Sequence, residues 1–323
     1  MEVFRRLPPP ADRRPCALTI GNFDGVHRGH QVMLAALRAR ADELGLPACV
    51  LTFEPHPREF FALQRALPAP ARILTERDKL DALARNRIDR VCIAHFNESL
   101  AALPAERFIS EMIVAGLQAR YLLVGDDFRF GAKRVGDFEL LSERSAGSGF
   151  ELARMASVCE GTDRISSSAV RSALGSGDFA RVRNLLGRRY SISGHVIHGR
   201  KLGRDLGFPT LNLRIPFERP ALSGIFVVEV EGLDGRALPG VANLGTRPAV
   251  ERDGRPLLEV HLFDFDREVY GELVRVVFLA KLRDEANFAG LDALREQIAR
   301  DTHAARAFFE QTAEPGGIPD NPA

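Results

Sequence analysis

The chain has 323 residues, 45% hydrophobic and 27% charged, which suits a globular protein of two domains at about 150 residues each. Its 44 Lys and Arg nearly cancel its 43 Asp and Glu, for a net charge of +1, so a nucleic-acid partner held by a basic face is disfavoured. No apolar run reaches the ~18 residues of a membrane-crossing helix, and the four cysteines are widely spaced with no CxxC pair, which fits a reducing cytoplasm.

The first fifteen residues carry charges and Pro8-Pro9-Pro10 but no apolar stretch, and do not read as a secretory signal. Short apolar runs then alternate with helical patterns. Residues 16–20, 48–53, 90–95 and 121–124 are expected as buried strands, and 29–43, 75–86 and 105–117 as helices. Thr75, three residues before Asp78, has the chemistry of a helix N-cap. This order predicts an α/β domain with a doubly wound parallel sheet, helices on both faces, and ligands outside the carboxyl ends of the strands.

The loops after those strands carry the informative residues. The first strand runs into Gly21-Asn22-Phe23-Asp24-Gly25-Val26-His27-Arg28-Gly29-His30. Glycines around His27 permit a tight turn, and a helix starting near Gly29 aims its unpaired N–H groups at the strand end, where a phosphate binds well. His27 and His30 lie one turn apart and, as cations or donors, can stabilise charge developing on phosphorus. A zinc site is excluded by the lack of a third ligand at a suitable spacing. Phe53-Glu54-Pro55-His56-Pro57 makes a rigid loop, beyond which Phe60 and Phe61 form either a flat wall for an aromatic ligand or ordinary core. The segment 125–131, GDDFRFG, suits a base or ribose pocket or a plain turn. Arg164-Ile165-Ser166-Ser167-Ser168-Ala169-Val170-Arg171 opens a helix with hydroxyl and amide donors, its arginines either clamping phosphate or solvated.

The hydrophobic period changes near residues 186–190, the expected boundary between domains 1–186 and 187–312. Strands are expected at 191–197, 225–231, 257–265 and 273–279, punctuated by Gly and Pro, as in a small antiparallel barrel or sandwich. A helix at about 287–311 is expected to bury Leu291, Leu294, Ile298 and Phe308, and 313–323 is expected as a disordered tail. Gly199-Arg200-Lys201-Leu202-Gly203-Arg204 forms an anion-friendly loop. Thr210 and Asn212, two apart on an extended segment, point the same way and can help complete the oxygen octahedron of Mg²⁺ with nucleotide phosphates and water. Glu259 is either a general base for an attacking hydroxyl or a charged residue on a half-exposed strand.

On GNFDGVHRGH, FEPHP, VGDDFRFG and RISSSAVR, residues 15–186 resemble the adenylyltransferase module of prokaryotic bifunctional riboflavin kinase/FMN adenylyltransferases, the FAD synthetases. From Tyr190 to Phe309 the chain resembles the riboflavin kinase module, on GFPTLN, GIF, NLGTRP, LEVH and KLRDE. The resemblance implies a Rossmann-like nucleotidyltransferase domain followed by a small β-barrel with a C-terminal helix. It implies phosphorylation of riboflavin to FMN by the second domain and adenylylation of FMN to FAD, with release of pyrophosphate, by the first, with ATP as co-substrate of both and Mg²⁺. By resemblance, Asn22, Asp24 and Asp127 hold the first ATP beside His27, His30, Arg164, Ser167 and Ser168, while Pro55, His56 and Pro57 lie near its flavin. In the kinase, Gly199, Lys201, Gly203, Thr210 and Asn212 would bind ATP, Thr210 and Asn212 the metal, and Arg283 and Glu285 the flavin edge. Leu211, Phe226 and Asp126 depart from the family's usual residues. Rival readings are a different nucleotidyltransferase, an aminoacyl-tRNA synthetase (no KMSKS-like loop is present), and a flavin-binding regulator without catalysis.

Overall fold

The computed structural model describes residues 1–199, 203, 206–245 and 256–313. They form two compact units, Met1–Pro70 with Lys79–Ser166, and Ala71–Asp78 with the chain from Ser167 onward.

The first unit is built on a six-stranded, wholly parallel sheet. Its strands are β1 (Glu2–Phe4), β2 (Cys16–Ile20), β3 (Ala48–Glu54), β4 (Arg90–His95), β5 (Ala119–Gly125) and β6 (Glu151–Met155), in the order β1-β4-β3-β2-β5-β6. The four expected strands are the central ones. Every residue of β2 is buried, as a strand covered on both faces requires. The two additional strands are the edges, where exposed and half-buried residues break the apolar run.

Helix α1 (Arg28–Leu44) covers one face through Leu34, Leu37 and Ala41, and ends on Gly45 in the left-handed region. Helices α2 (Pro57–Gln64), α3 (Glu76–Arg85), α4 (Glu98–Ala101) and α5 (Ala105–Arg107) follow. Helix α5 continues as a π-helical segment over Phe108–Gly116, where a plain α-helix was expected. With α6 (Phe138–Ser148), that segment covers the opposite face, packing Phe108, Ile109, Ile113 and Leu141 onto Leu18, Ile20 and Leu51. The Thr75 cap forms as expected: its hydroxyl accepts from Asp78 N–H at 3.1 Å and donates to the Asp78 carboxylate at 2.6 Å. From β2 the chain steps to one side through β3 and β4, then crosses to the other side for β5 and β6. The direction reverses between β2 and β5, and a crevice for ligands opens beyond their carboxyl ends. A short hairpin, β7 (Cys159–Glu160) and β8 (Asp163–Arg164), closes this unit.

The second unit contains α7 (Ser167–Ser176) and α8 (Phe179–Leu186), then a closed antiparallel barrel. Its strands are β9 (Ser191–Ile197), β10 (Leu211–Arg214), β11 (Gly224–Glu231), β12 (Leu238–Gly245), β13 (Leu257–Leu262) and β14 (Leu273–Arg283), in the order β10-β13-β12-β11-β14-β9. Leu213, Phe226, Val228, Leu244, Leu258, Val260 and Val276 are fully buried and fill one face of the strands. The alternate residues Ile225, Val227 and Val241 pack outward with Ala305, Phe308 and Phe309 of the closing helix α9 (Leu291–Ala313). One expectation fails here: Leu291 is 58% exposed. It sits at the first residue of α9, before the helix reaches the barrel, and Asp301 and Ala305 are the buried residues of that face, with Leu294, Ile298 and Phe308 half-buried. Ala313 ends the helix, and the rest of the expected tail lies outside the described residues.

Candidate active sites

The first candidate site lies at the crevice between β2 and β5. The loop after β2 places Phe23, Gly25 and Val26 at φ of 48°, 91° and 40°. For Phe23 and Val26 this is strained backbone, tolerated because both side chains are buried. The turn drops His27 at the N-cap of α1, where its Nδ1 accepts from the His30 N–H at 3.3 Å. Since Nδ1 is the acceptor, the proton of neutral His27 sits on Nε2. The His27 and His30 rings stack at 3.7 Å between centroids with a 15° tilt.

Burial pushes the His30 imidazole well below its ordinary pKa, and the neighbouring His27 and Lys79 push the same way. His30 is therefore a neutral donor or acceptor near neutral pH. The His30 Nδ1 is buried with no hydrogen-bond partner, an orphan of the kind a ligand completes. Gly29 is needed for closeness: a Cβ there would stand 3.2 Å from the His27 ring and 3.4 Å from the Ile165 carbonyl oxygen.

Asp24 is buried in the same loop, and the Asn22 carbonyl accepts from the Thr52 hydroxyl at 3.2 Å. Arg28 pairs with Glu160 at 3.3 Å, fixing the β7–β8 hairpin beside the start of α1. On that hairpin Arg164 reaches the Asp127 carboxylate at 2.7 Å and Asp126 at 3.9 Å. Asp126 accepts from the backbone and hydroxyl of Ser157, and these bonds with the nearby Arg164 hold its carboxyl below the usual range against the effect of burial. The GDDFRFG and RISSS segments thus meet through Arg164. Ser167 and Ser168 open α7 and belong to the second unit.

The proline loop is also ordered by its own residues. Its Glu54–Pro55 peptide is cis. His56 is buried, and its Nδ1 caps α2 by accepting from Arg58 N–H at 3.1 Å, with Pro57 at the first helical position. Phe53, Phe60, Phe61 and Phe96 meet edge to face at 5.3–5.9 Å. Phe60 is half-buried and Phe61 is 37% exposed, so the pair forms a wall beside β3 rather than a closed core. Lys79, almost fully buried with its charge felt at His30, was not singled out in the sequence. Only the sheet topology brings it to this site.

The second candidate site is a row across the barrel. Asn212 on β10 pairs in register with Glu259 on β13, and Glu259 with Asn243 on β12. Residues in register share a face, so the three polar side chains stand side by side. Asn212 is 5% exposed, its amide nitrogen donates to the Thr210 carbonyl at 3.3 Å, and its Oδ1 is buried without a partner. Leaving such an acceptor unmet costs about 1–3 kcal/mol; a hard cation is the partner that suits a neutral oxygen beside nucleotide phosphates. A Cβ on Gly199 would lie 2.4 Å from the Asn212 amide nitrogen, and one on Gly203 2.5 Å from the Phe208 carbonyl oxygen. These glycines let the loop backbone lie against the ligand-bearing strand. Lys201, with Arg200, Leu202, Arg204 and residues 246–255, lies outside the described residues.

The departures from the family pattern fall away from this row. Leu211 and Phe226 are buried on the opposite face of their strands, Phe226 edge-on to Phe278 at 5.2 Å. Arg283 is held by Asp301 of α9 through Nε at 3.0 Å and Nη2 at 2.6 Å, with Gln297 on the same carboxylate at 2.9 Å. The Glu285 carboxylate fills the space where a Cβ of Gly245 would be, 2.3 Å from that position. Asn243 and Asp301 were missed as site residues because their roles depend on register and on a helix returning across the barrel. Among the described residues no three His, Cys, Asp or Glu side chains converge to hold a metal, and no helix is long and apolar enough to cross a membrane.

The FAD synthetase family matches residues 10–169 and the riboflavin kinase family residues 186–309. The chain is 47% identical over 302 residues to the bifunctional riboflavin kinase/FMN adenylyltransferase of Escherichia coli K12, covering 94% of this chain and 95% of that one. The proteins of the same description from Pseudomonas fluorescens and Haemophilus influenzae are 47% and 46% identical, covering 94% and 91% of this chain and 96% and 94% of theirs. A crystal structure described as a macrolide-efflux protein from Streptococcus pneumoniae superposes with a TM-score of 0.72 at 28% identity, covering 94% of this chain and 98% of that chain. With both family models matched in order along one chain and nearly half of its residues identical to these relatives over almost their whole length, the chain belongs to the bifunctional riboflavin kinase/FMN adenylyltransferase family.

Proposed function

We propose that the barrel unit phosphorylates riboflavin and the parallel-sheet unit adenylylates the resulting FMN, each consuming one ATP. The observation that carries this reading is the presence in one chain of two sites of different chemistry, each holding a buried polar atom without a partner. One is His30 Nδ1, in a histidine pair stacked at a helix start; the other is Asn212 Oδ1, in register with the Glu259 carboxylate.

In the barrel, Glu259 takes the proton of the riboflavin 5′-hydroxyl as that oxygen attacks the γ-phosphorus of ATP. The bond from γ-phosphorus to the bridging oxygen breaks, and ADP leaves with FMN as the other product. Asn212 and Thr210 would hold Mg²⁺, which would draw charge from the phosphates. Gly199 and Gly203, with Lys201, would line the phosphates, and Arg283 and Glu285 the flavin edge. In the parallel-sheet unit, a phosphate oxygen of FMN attacks the α-phosphorus of a second ATP, the α–β bridging bond breaks, and pyrophosphate leaves with FAD formed. No protein nucleophile is required, because the attacking phosphate is already ionised. His27, His30 and Arg164 supply donors to the charge developing on phosphorus, while Asn22, Asp24 and Asp127 hold the nucleotide. Pro55, His56 and Pro57 carry the flavin beside the phenylalanine wall. We place the protein in the cytoplasm, in keeping with its four free cysteines.

Purified full-length protein with riboflavin, ATP and Mg²⁺, its products separated by chromatography, tests the assignment. Glu259→Ala is expected to make no FMN yet convert added FMN to FAD. His27→Ala combined with His30→Ala is expected to accumulate FMN and make no FAD. A folded variant of either kind that loses both activities contradicts the division of labour.

A further inference from the structure

Asn243 stands beside Glu259, and neither phosphoryl step assigns it a role. Its amide nitrogen lies 3.4 Å from Glu259 Oε2, and its Oδ1 is buried without a partner. A carboxylate only accepts, so the nitrogen must be the end turned to Glu259 and the oxygen the end turned away. Two buried amide oxygens, on Asn212 and Asn243, therefore flank one carboxylate on three neighbouring strands.

The two oxygens are not neighbours in the row: Asn212 and Asn243 are two strands apart, about 9–10 Å between backbones, with the Glu259 side chain standing between them, whereas opposite ligands of an octahedral Mg²⁺ are only about 4 Å apart. Phosphate oxygens are acceptors and gain nothing from a carbonyl oxygen. The remaining partner is a neutral donor close to the hydroxyl that Glu259 deprotonates, and a polyol chain offers such hydroxyls at successive carbons.

We propose that Asn243 is a positioning residue of the kinase site, its amide nitrogen aiming the Glu259 carboxylate and its Oδ1 accepting a hydrogen bond from a ribityl hydroxyl of riboflavin. This rests on Glu259 being the base, and the experiment separates the two claims. Steady-state phosphorylation is measured on the full-length protein with riboflavin and with a flavin bearing a 5-hydroxypentyl chain, which keeps the terminal hydroxyl and lacks the others. FMN adenylylation by the same preparation reports folding.

Asn243→Ala is expected to lower kcat at least 10-fold, leave KM for ATP within twofold, and shrink the preference for riboflavin over the analogue at least 10-fold. Asn243→Asp keeps an acceptor and loses the donor, so it is expected to lower kcat while retaining most of that preference. Equal losses on both flavins, a raised KM for ATP, or changes under twofold in Asn243→Ala overturn the proposal. If Asn243→Ala loses adenylylation as well, Asn243→Asp decides: unchanged kcat overturns the proposal, and lowered kcat with retained preference supports it. Glu259→Gln that still phosphorylates riboflavin instead removes the base reading on which it stands.

Discussion

His27 and His30 have different tasks although they sit in one motif. His27 is buried and closes the first turn of α1 through Nδ1, and His30 is the half-buried ring stacked on it, with its own Nδ1 turned inward. Losing one donor to developing charge at such a site costs about 10²–10³-fold in kcat. His30→Ala is expected to lose that much FMN adenylylation, with riboflavin phosphorylation unchanged, in parallel assays of the two steps. The lowered pKa of His30 also sets a pH dependence. In the unfolded chain His30 returns to about 6.5, so between that value and the lower folded one the unfolded state carries the extra proton. The stability contributed by keeping His30 neutral is complete above about pH 6.5 and is lost as pH falls toward the folded value. Melting temperature is expected to drop from pH 7 to pH 5, and His30→Gln to flatten that limb; an equally steep limb in the variant would assign the acid sensitivity elsewhere.

At the scale of elements, the loop glycines and the closing helix make sharper predictions than the strands do. Gly199→Ala places a methyl 2.4 Å from the Asn212 amide, so the amide must move; phosphorylation is expected to fall at least 10-fold while adenylylation and the melting temperature are nearly unchanged. Asp301→Asn weakens the charged pair that ties β14 to α9 and is expected to cost about 1–3 kcal/mol in urea unfolding. A loss below about 0.5 kcal/mol would mean that α9 is held by Ala305, Phe308 and Phe309 alone. Central strands of the sheet were legible because burial on both faces makes them largely apolar, as in β2, broken only by Thr19, and in residues 91–94 of β4. The edges β1 and β6, and the barrel strand β10 with Asn212 and Arg214 among its four residues, carry no such run. The π-helical winding of Phe108–Gly116 has an ordinary apolar helical pattern, and nothing in its composition marks the change of spacing.

For the whole molecule, the motif strings placed both sites in the chain, but their partners came from topology. The reversal of strand order between β2 and β5 is what brings GNFDGVHRGH and GDDFRFG to the same end of the sheet, and Arg164 ties the serine segment to GDDFRFG through Asp127. Antiparallel register sets Asn212, Glu259 and Asn243 in one row from segments more than fifteen residues apart. Lys79 and Asp301 have no local signature, since each matters only through what the fold sets against it. The two units hold different unmet groups, so one ATP is expected to be opened at its outer phosphorus and another at its inner one. Tracing label answers this most directly: the protein is given riboflavin with ATP labelled at either the γ- or the α-phosphorus. The account predicts γ-label in both FMN and FAD and α-label in FAD alone, with Glu259→Gln still passing α-label into FAD from added FMN. Absence of γ-label from FMN, or loss of α-transfer in a folded Glu259→Gln, would contradict it.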